Sequence, residues 1–163
     1  MIPEIVNAIV ARLQTAFPDL EVAPWPEKVE KFRLTHPQGA LLVAYRGGKY
    51  SKPLTTDAIV QTRRMEFVIT IQARSLRSNL GAYQMLEGTA AALTRFDACG
   101  VKLYPVDEAF VDFENTVWVY AMHFAGDAPA IAGCSRELDE INAAPTATQA
   151  TFQGDGETLV IGG

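Results

Sequence analysis

"QTRRMEFVITIQAR", residues 61 to 74, alternates without a break. Met65, Phe67, Ile69, Ile71 and Ala73 fall on one side of an extended chain, and Arg64, Glu66, Val68, Thr70, Gln72 and Arg74 on the other. Successive side chains of a strand point to opposite faces, so this pattern predicts a strand with one buried face. At about 3.3 Å per residue the segment reaches roughly 45 Å, more than twice the usual strand, so part of it is expected to extend past a compact sheet.

Upstream, "ALLVAYR" at 40–46 reads as a second strand. Between the two lies "YRGGKYSKPLTTD", 45–57, with two glycines and the basic residues Arg46, Lys49 and Lys52. It does not fit a phosphate-binding loop. The glycine required five residues before the Gly-Lys pair is missing, Tyr50 stands where Ser or Thr would hold magnesium, and Pro53 opens no helix. The stretch is expected to form an extended β-finger. Ordering a dozen such residues costs on the order of 10 kcal/mol in backbone entropy with few apolar side chains to offset it, so it should move in a lone chain.

Ile2, Ile5, Val6, Ile9, Val10, Leu13 and Phe17 recur at three- and four-residue steps, an amphipathic helix that Pro18 stops. A short strand near Leu20–Val22 and a turn of helix around Trp25–Phe32 are expected next. Ser78 reads as the N-cap of a second helix with Leu80, Tyr83, Leu86, Ala90 and Leu93 as its buried stripe, running to Phe96. "KLYPVDEAFVDFENTVWVYAMHFAG", from Lys102, reads as a β-hairpin turning near Glu114–Thr116. Its second strand sets Trp118, Tyr120, Met122 and Phe124 on one face. The order of elements predicts an α+β fold: a mainly antiparallel sheet flanked on one side by two helices, with a long protruding β-hairpin arm and an extended C-terminal tail.

The domain is expected to span 1–125. Residues 126–163 are rich in Ala, Thr, Gly and Pro, with few large apolar side chains before Leu159–Ile161. Such a segment cannot offset its own ordering entropy. It reads either as an extended arm whose "ETLVI" adds to another chain's sheet edge, or as a plain unstructured tail.

Composition fits an ordinary globular protein of 163 residues, with 48% apolar and 20% charged side chains. No apolar run is long enough to cross a bilayer, so no membrane partner is expected. Glu4, Asn7 and Arg12 interrupt the N-terminal segment where a secretory signal would be solidly apolar, so synthesis in the cytoplasm is expected. Cys99 and Cys134 are expected to be free thiols. Charge is unevenly placed. From Arg46 to Arg77, seven basic residues, among them Arg46, Lys49, Lys52, Arg63 and Arg64, stand against Asp57 and Glu66. From Val106 onward ten acidic residues, including Asp107, Glu108, Asp112 and Glu114, stand against Arg136 alone. These are either two solvated faces or the two sides of a head-to-tail contact between copies.

No arrangement for catalysis stands out. Glu66 lacks a lysine two residues on, the acids of the hairpin have no partner ligands elsewhere, and neither His36 nor His123 has a Ser or Cys nucleophile at a recognisable spacing. No enzymatic activity, metal or cofactor is expected, and His123 reads as a hydrogen-bonded or interface residue. Tyr45 and Tyr50 beside Arg46, Lys49 and Lys52 could track phosphates, but the acidic balance and the lack of a reader motif argue against specific nucleic-acid binding.

Three segments carry a resemblance. They are Tyr-x-Gly-x-x-Tyr-Ser-x-Pro at 45–53, Ala-Arg-x-Leu-Arg-Ser at 73–78 leading through Gly81, Ala82 and Tyr83, and Val-Trp-x-Tyr at 117–120. In this order they resemble a family of Mu-like phage and prophage proteins, the tail-completion or tail-terminator proteins of contractile tails, over residues 2–125. The resemblance implies a structural part of the virion tail. It would be a ring of about six copies on the head-proximal end of the tail tube that stops tube polymerisation and joins the neck. The partners implied are further copies, the tube protein, and the sheath and neck proteins. Its interface residues would be Arg46, Lys49, Tyr50, Lys52, Arg63 and Arg64 on one side and Asp107, Glu108, Asp112 and Glu114 on the other.

Overall fold

The computed structural model describes residues 1–28, 34, 36–54 and 59–132, and of Ile59, Ile131 and Ala132 the backbone alone. Helix α1 spans Ile2–Ala16 and buries Ile5, Ile9, Val10 and Leu13. It ends at Phe17, whose N–H still donates to the Leu13 carbonyl at 2.8 Å before Pro18, which disfavours helix at the residue ahead of it. Strand β1, Glu21–Pro24, pairs in parallel with β2, Gly39–Tyr50. Strand β3, Ile59–Ala73, follows, then helix α2, Ala82–Leu93. A small two-stranded sheet, β4 (Asp97–Ala98) with β5 (Val101–Lys102), turns through Cys99 and Gly100. Strands β6, Tyr104–Glu114, and β7, Val117–Ala132, close the order.

The main sheet runs β1-β2-β3-β7-β6. Leu54 N–H donates to the Val60 carbonyl, Ser51 to Thr62 and Arg74 to Gln38; one number rises as its partner falls, so β2 and β3 are antiparallel. β6 and β7 are antiparallel as well. The parallel β1 edge is the exception in the expected α+β fold of a mainly antiparallel sheet with two helices; the expected tail beyond 132 lies outside the described residues.

The alternation in β3 is realised as read: Met65, Phe67, Ile69, Ile71 and Ala73 are all fully buried. They form one core with Ile5, Ile9 and Leu13 of α1 and Met85, Leu86 and Leu93 of α2, so both helices lie on one face of the sheet. Ala40, Leu42 and Ala125 are buried outside that cluster.

Two expectations need correction. Ser78 does not cap α2. Leu80 takes a left-handed φ of 61°, which an L-residue cannot hold within a right-handed helix. The helix therefore starts after Gly81, whose N–H donates to the Ser78 carbonyl at 2.8 Å. The Ser78 hydroxyl meets that of Ser75 instead. The buried stripe is shifted accordingly to Ala82, Met85, Leu86, Thr89, Ala92 and Leu93, and Tyr83 is 44% exposed. The turn of helix expected at 25–32 is irregular chain over Trp25–Lys28; its remainder, 29–32, lies outside the described residues.

The chain divides into two compact units. One comprises the described residues within 1–49 and 64–128, and the other 50–54, 59–63 and 129–132. The first holds both helices and the core. In the second, Ser51 and Thr62 exchange hydrogen bonds through backbone and hydroxyl, Gln61 Nε2 donates to the Ser51 carbonyl, and the Arg63 guanidinium lies 5.6 Å from the Tyr50 ring centre. Cys99 is a free, exposed thiol; Cys134 and "ETLVI" lie outside the described residues.

Candidate functional site

Strand β6 is exposed along its whole length. Two irregularities decide what each side of it carries. The register with β7 slips between Pro105 and Asp107 and again between Phe110 and Asp112, leaving Val106 and Val111 as extra, unpaired residues. A β-bulge of this kind resets which side chains share a face. Phe110 therefore stands opposite Tyr120, Phe113 opposite Trp118 and Glu108 opposite Met122, all on the side of the sheet that holds Phe124 and the helices. Asp107, Asp112 and Glu114 stand opposite His123, Val119 and Val117 on the far side.

The result is an edge strand with Phe110, Phe113 and Glu108 on one side and Asp107, Asp112 and Glu114 on the other. On the helix side, Phe113 and Trp118 ring centres lie 4.4 Å apart, and Phe110 meets the Tyr120 ring edge-on at 5.5 Å. Phe110 is 53% and Phe113 47% exposed. Burial holds the Tyr120 hydroxyl above its usual pKa, with smaller contributions from the charge of and hydrogen bond with Tyr83. Met122 and Phe124 continue the same face into the core. On the far side, Asp107 Oδ1 lies 2.5 Å from His123 Nδ1, while Asp112 accepts from the Phe113 N–H. The Asn115–Thr116 turn, with φ of 53° and 61°, has the left-handed pair that suits a two-residue hairpin.

The basic residues are placed differently from one another. Arg46 on β2 donates to Glu66 Oε1 at 3.0 Å, and Arg64 Nε lies 3.4 Å from Glu66 Oε2. Two guanidiniums thus share one carboxylate. Arg64 also lies over the Tyr104 ring at 5.9 Å. Lys49, Tyr50 and Lys52 are exposed, and Arg63 lies over Tyr50. The structure thus gathers Arg46 and Arg64 with Glu66, and gathers the four acids on β6. Sequence reading missed the exposed Phe110, Phe113 and Tyr83. Strict alternation in "YPVDEAFVDFE" puts Phe110 and Phe113 on opposite faces, and only the two bulges bring both to the helix side.

Among the described residues no group of His, Cys, Asp and Glu is arranged to hold a metal ion, and no helix is long and apolar enough to cross a membrane. Together the two helices on one face of the sheet and the exposed edge strand β6 define an α+β protein that presents aromatic and acidic side chains along one sheet edge. The chain belongs to the Gp37 protein family, whose model matches residues 9–153. No curated protein matches it. Among solved structures it is similar to a chain of the virion of a native gene transfer agent particle, with a TM-score of 0.49 and 12% identity, covering 80% of this chain and 95% of that one.

Proposed function

We propose that the protein is a non-catalytic, phage-tail-type structural component. In its fullest form it is a tail terminator that rings the head-proximal end of the tail tube in the virion, stops tube polymerisation and offers the joining surface to the neck. Further copies of itself and the tube protein are its principal partners, with sheath and neck proteins beyond them, and the chain after β7 serves as an extended arm.

The observation that carries this reading is β6. Phe110 and Phe113 stand exposed there against Tyr120 and Trp118, with Asp107, Asp112 and Glu114 on the other face of the same strand, which is the composition of a protein-docking surface rather than of an idle edge. The resemblance at 45–53, 73–78 and 117–120 supplies the kind of assembly. A nucleic-acid module is the less supported alternative, because Glu66 takes up charge from both Arg46 and Arg64, leaving less to neutralise phosphates. A neck or baseplate adaptor of the same machine would use the same surfaces. Electron microscopy of tails assembled without the protein decides: overlong tubes support the terminator, and tubes of normal length overturn it in favour of an adaptor.

A further inference from the structure

We infer that β6 of one copy adds, edge to edge, to the outer side of β2 in a second copy, over residues 44–49, so that the main sheet continues from molecule to molecule. This rests on the self-assembly reading above and specifies the two edges that meet.

Among the described residues both edges are open. β6 ends the strand order. At the opposite end, β1 covers β2 only from Ala40 to Val43, and the Trp25 N–H closes on the Val43 carbonyl at 2.8 Å. β2 then runs on to Tyr50 with no further strand outside it among the described residues. An uncovered strand edge presents N–H and C=O groups ready to pair with another chain.

Charge selects the occupant. β6 carries Asp107, Glu108, Asp112 and Glu114 and no basic residue, so pairing β6 with a second β6 would oppose carboxylates to carboxylates. Residues 44–49 carry Arg46 and Lys49, both exposed, and no acid. Like edges repel and unlike edges attract.

The faces also agree. On the far side of the sheet, Arg46 of β2, bonded to Glu66, corresponds to Asp107, Asp112 and Glu114 of β6. On the helix side Tyr45 packs on Phe67, and β6 offers Phe110 and Phe113. Between them Gly47 leaves open space where a side chain would stand, a notch into which an aromatic ring from a neighbouring strand can settle. The bulges at Val106 and Val111 make Asp107–Phe110 the longest run of unbroken register in β6, comparable with the short length of β2 on offer.

The test uses the full chain with two charge-reversed forms, Glu108→Lys with Asp112→Lys, and Arg46→Glu with Lys49→Glu, compared by sedimentation over concentrations up to about 1 mM. Lys49→Glu alone serves if the loss of the Arg46–Glu66 bond disturbs folding, judged by circular dichroism. The expected result is self-association of the natural chain, weakening of at least about tenfold in each variant, and recovery when the two variants are mixed, since each then presents the other with an opposite edge. Self-association of the variants equal to that of the natural chain, or a failure of mixing to restore it, overturns the edge pairing while leaving assembly intact. A natural chain that stays single at every concentration overturns both.

Discussion

Glu66 on β3 accepts a hydrogen bond from Arg46 on β2 at 3.0 Å and also lies against Arg64 two residues away. Strand alternation puts Arg64 and Glu66 on one face, and antiparallel pairing brings Arg46 across to them. Glu66 is only 21% exposed, so the carboxylate is partly shielded from water between two cations. Replacing it with Gln leaves two guanidiniums facing each other without a counter-charge. The expected cost is about 1 kcal/mol, toward the upper end for pairs near a surface, or a fall in Tm of roughly 2–4 °C for a protein of this size. Thermal denaturation monitored by circular dichroism checks it, and an unchanged Tm would mean that the pairing contributes nothing.

Gly39 at the start of β2 lies against the backbone of β3. A Cβ there would lie 2.4 Å from the Gln72 carbonyl oxygen, a backbone atom that cannot swing aside. Gly39→Ala is therefore expected to destabilise the protein by roughly 1–3 kcal/mol, the usual range for overpacking. Chemical denaturation should show a lowered midpoint. A neutral result would place the two strands farther apart than described.

The Tyr120 hydroxyl is held above the ordinary tyrosine value of 10.0, first by burial and then by Tyr83. The folded state therefore keeps this proton more tightly than the unfolded chain does. The stabilisation is fully present below about pH 10 and is lost as pH rises through the raised folded value. Ultraviolet titration should find one tyrosine ionising late, and Tyr83→Phe should bring that step part of the way back, since burial remains. A titration curve identical in the two proteins would remove Tyr83 as a cause.

Much of the fold was legible because burial enforces a period. The alternation of Met65 through Ala73 and the helical steps of Ile5, Ile9 and Leu13 each describe a face pressed against the core, where a wrong residue is costly. Legibility ended where the backbone breaks its own period. Leu80 in a left-handed conformation delays α2 and moves its stripe off Tyr83, and the bulges at Val106 and Val111 re-sort β6. The basic and acidic residues were visible as two groups in sequence, but the capture of Arg46 by Glu66 was not, since it depends on the register between two strands.

Phe67 and Phe113 separate what holds the fold from what faces outward. Phe67 is fully buried in the core, with the Tyr45 ring 5.4 Å away, so Phe67→Ala removes apolar burial and leaves a cavity, at an expected cost of 3–5 kcal/mol. Phe113 is 47% exposed and rests on Trp118. Phe113→Ser should lower stability by less than about 1 kcal/mol, the scale of one aromatic pair, while changing Trp118 fluorescence and weakening self-association. Equilibrium unfolding and sedimentation on both variants separate the two roles. If Phe113→Ser costs as much stability as Phe67→Ala, or leaves association untouched, the exposed face of β6 is part of the fold's own support and not a contact surface.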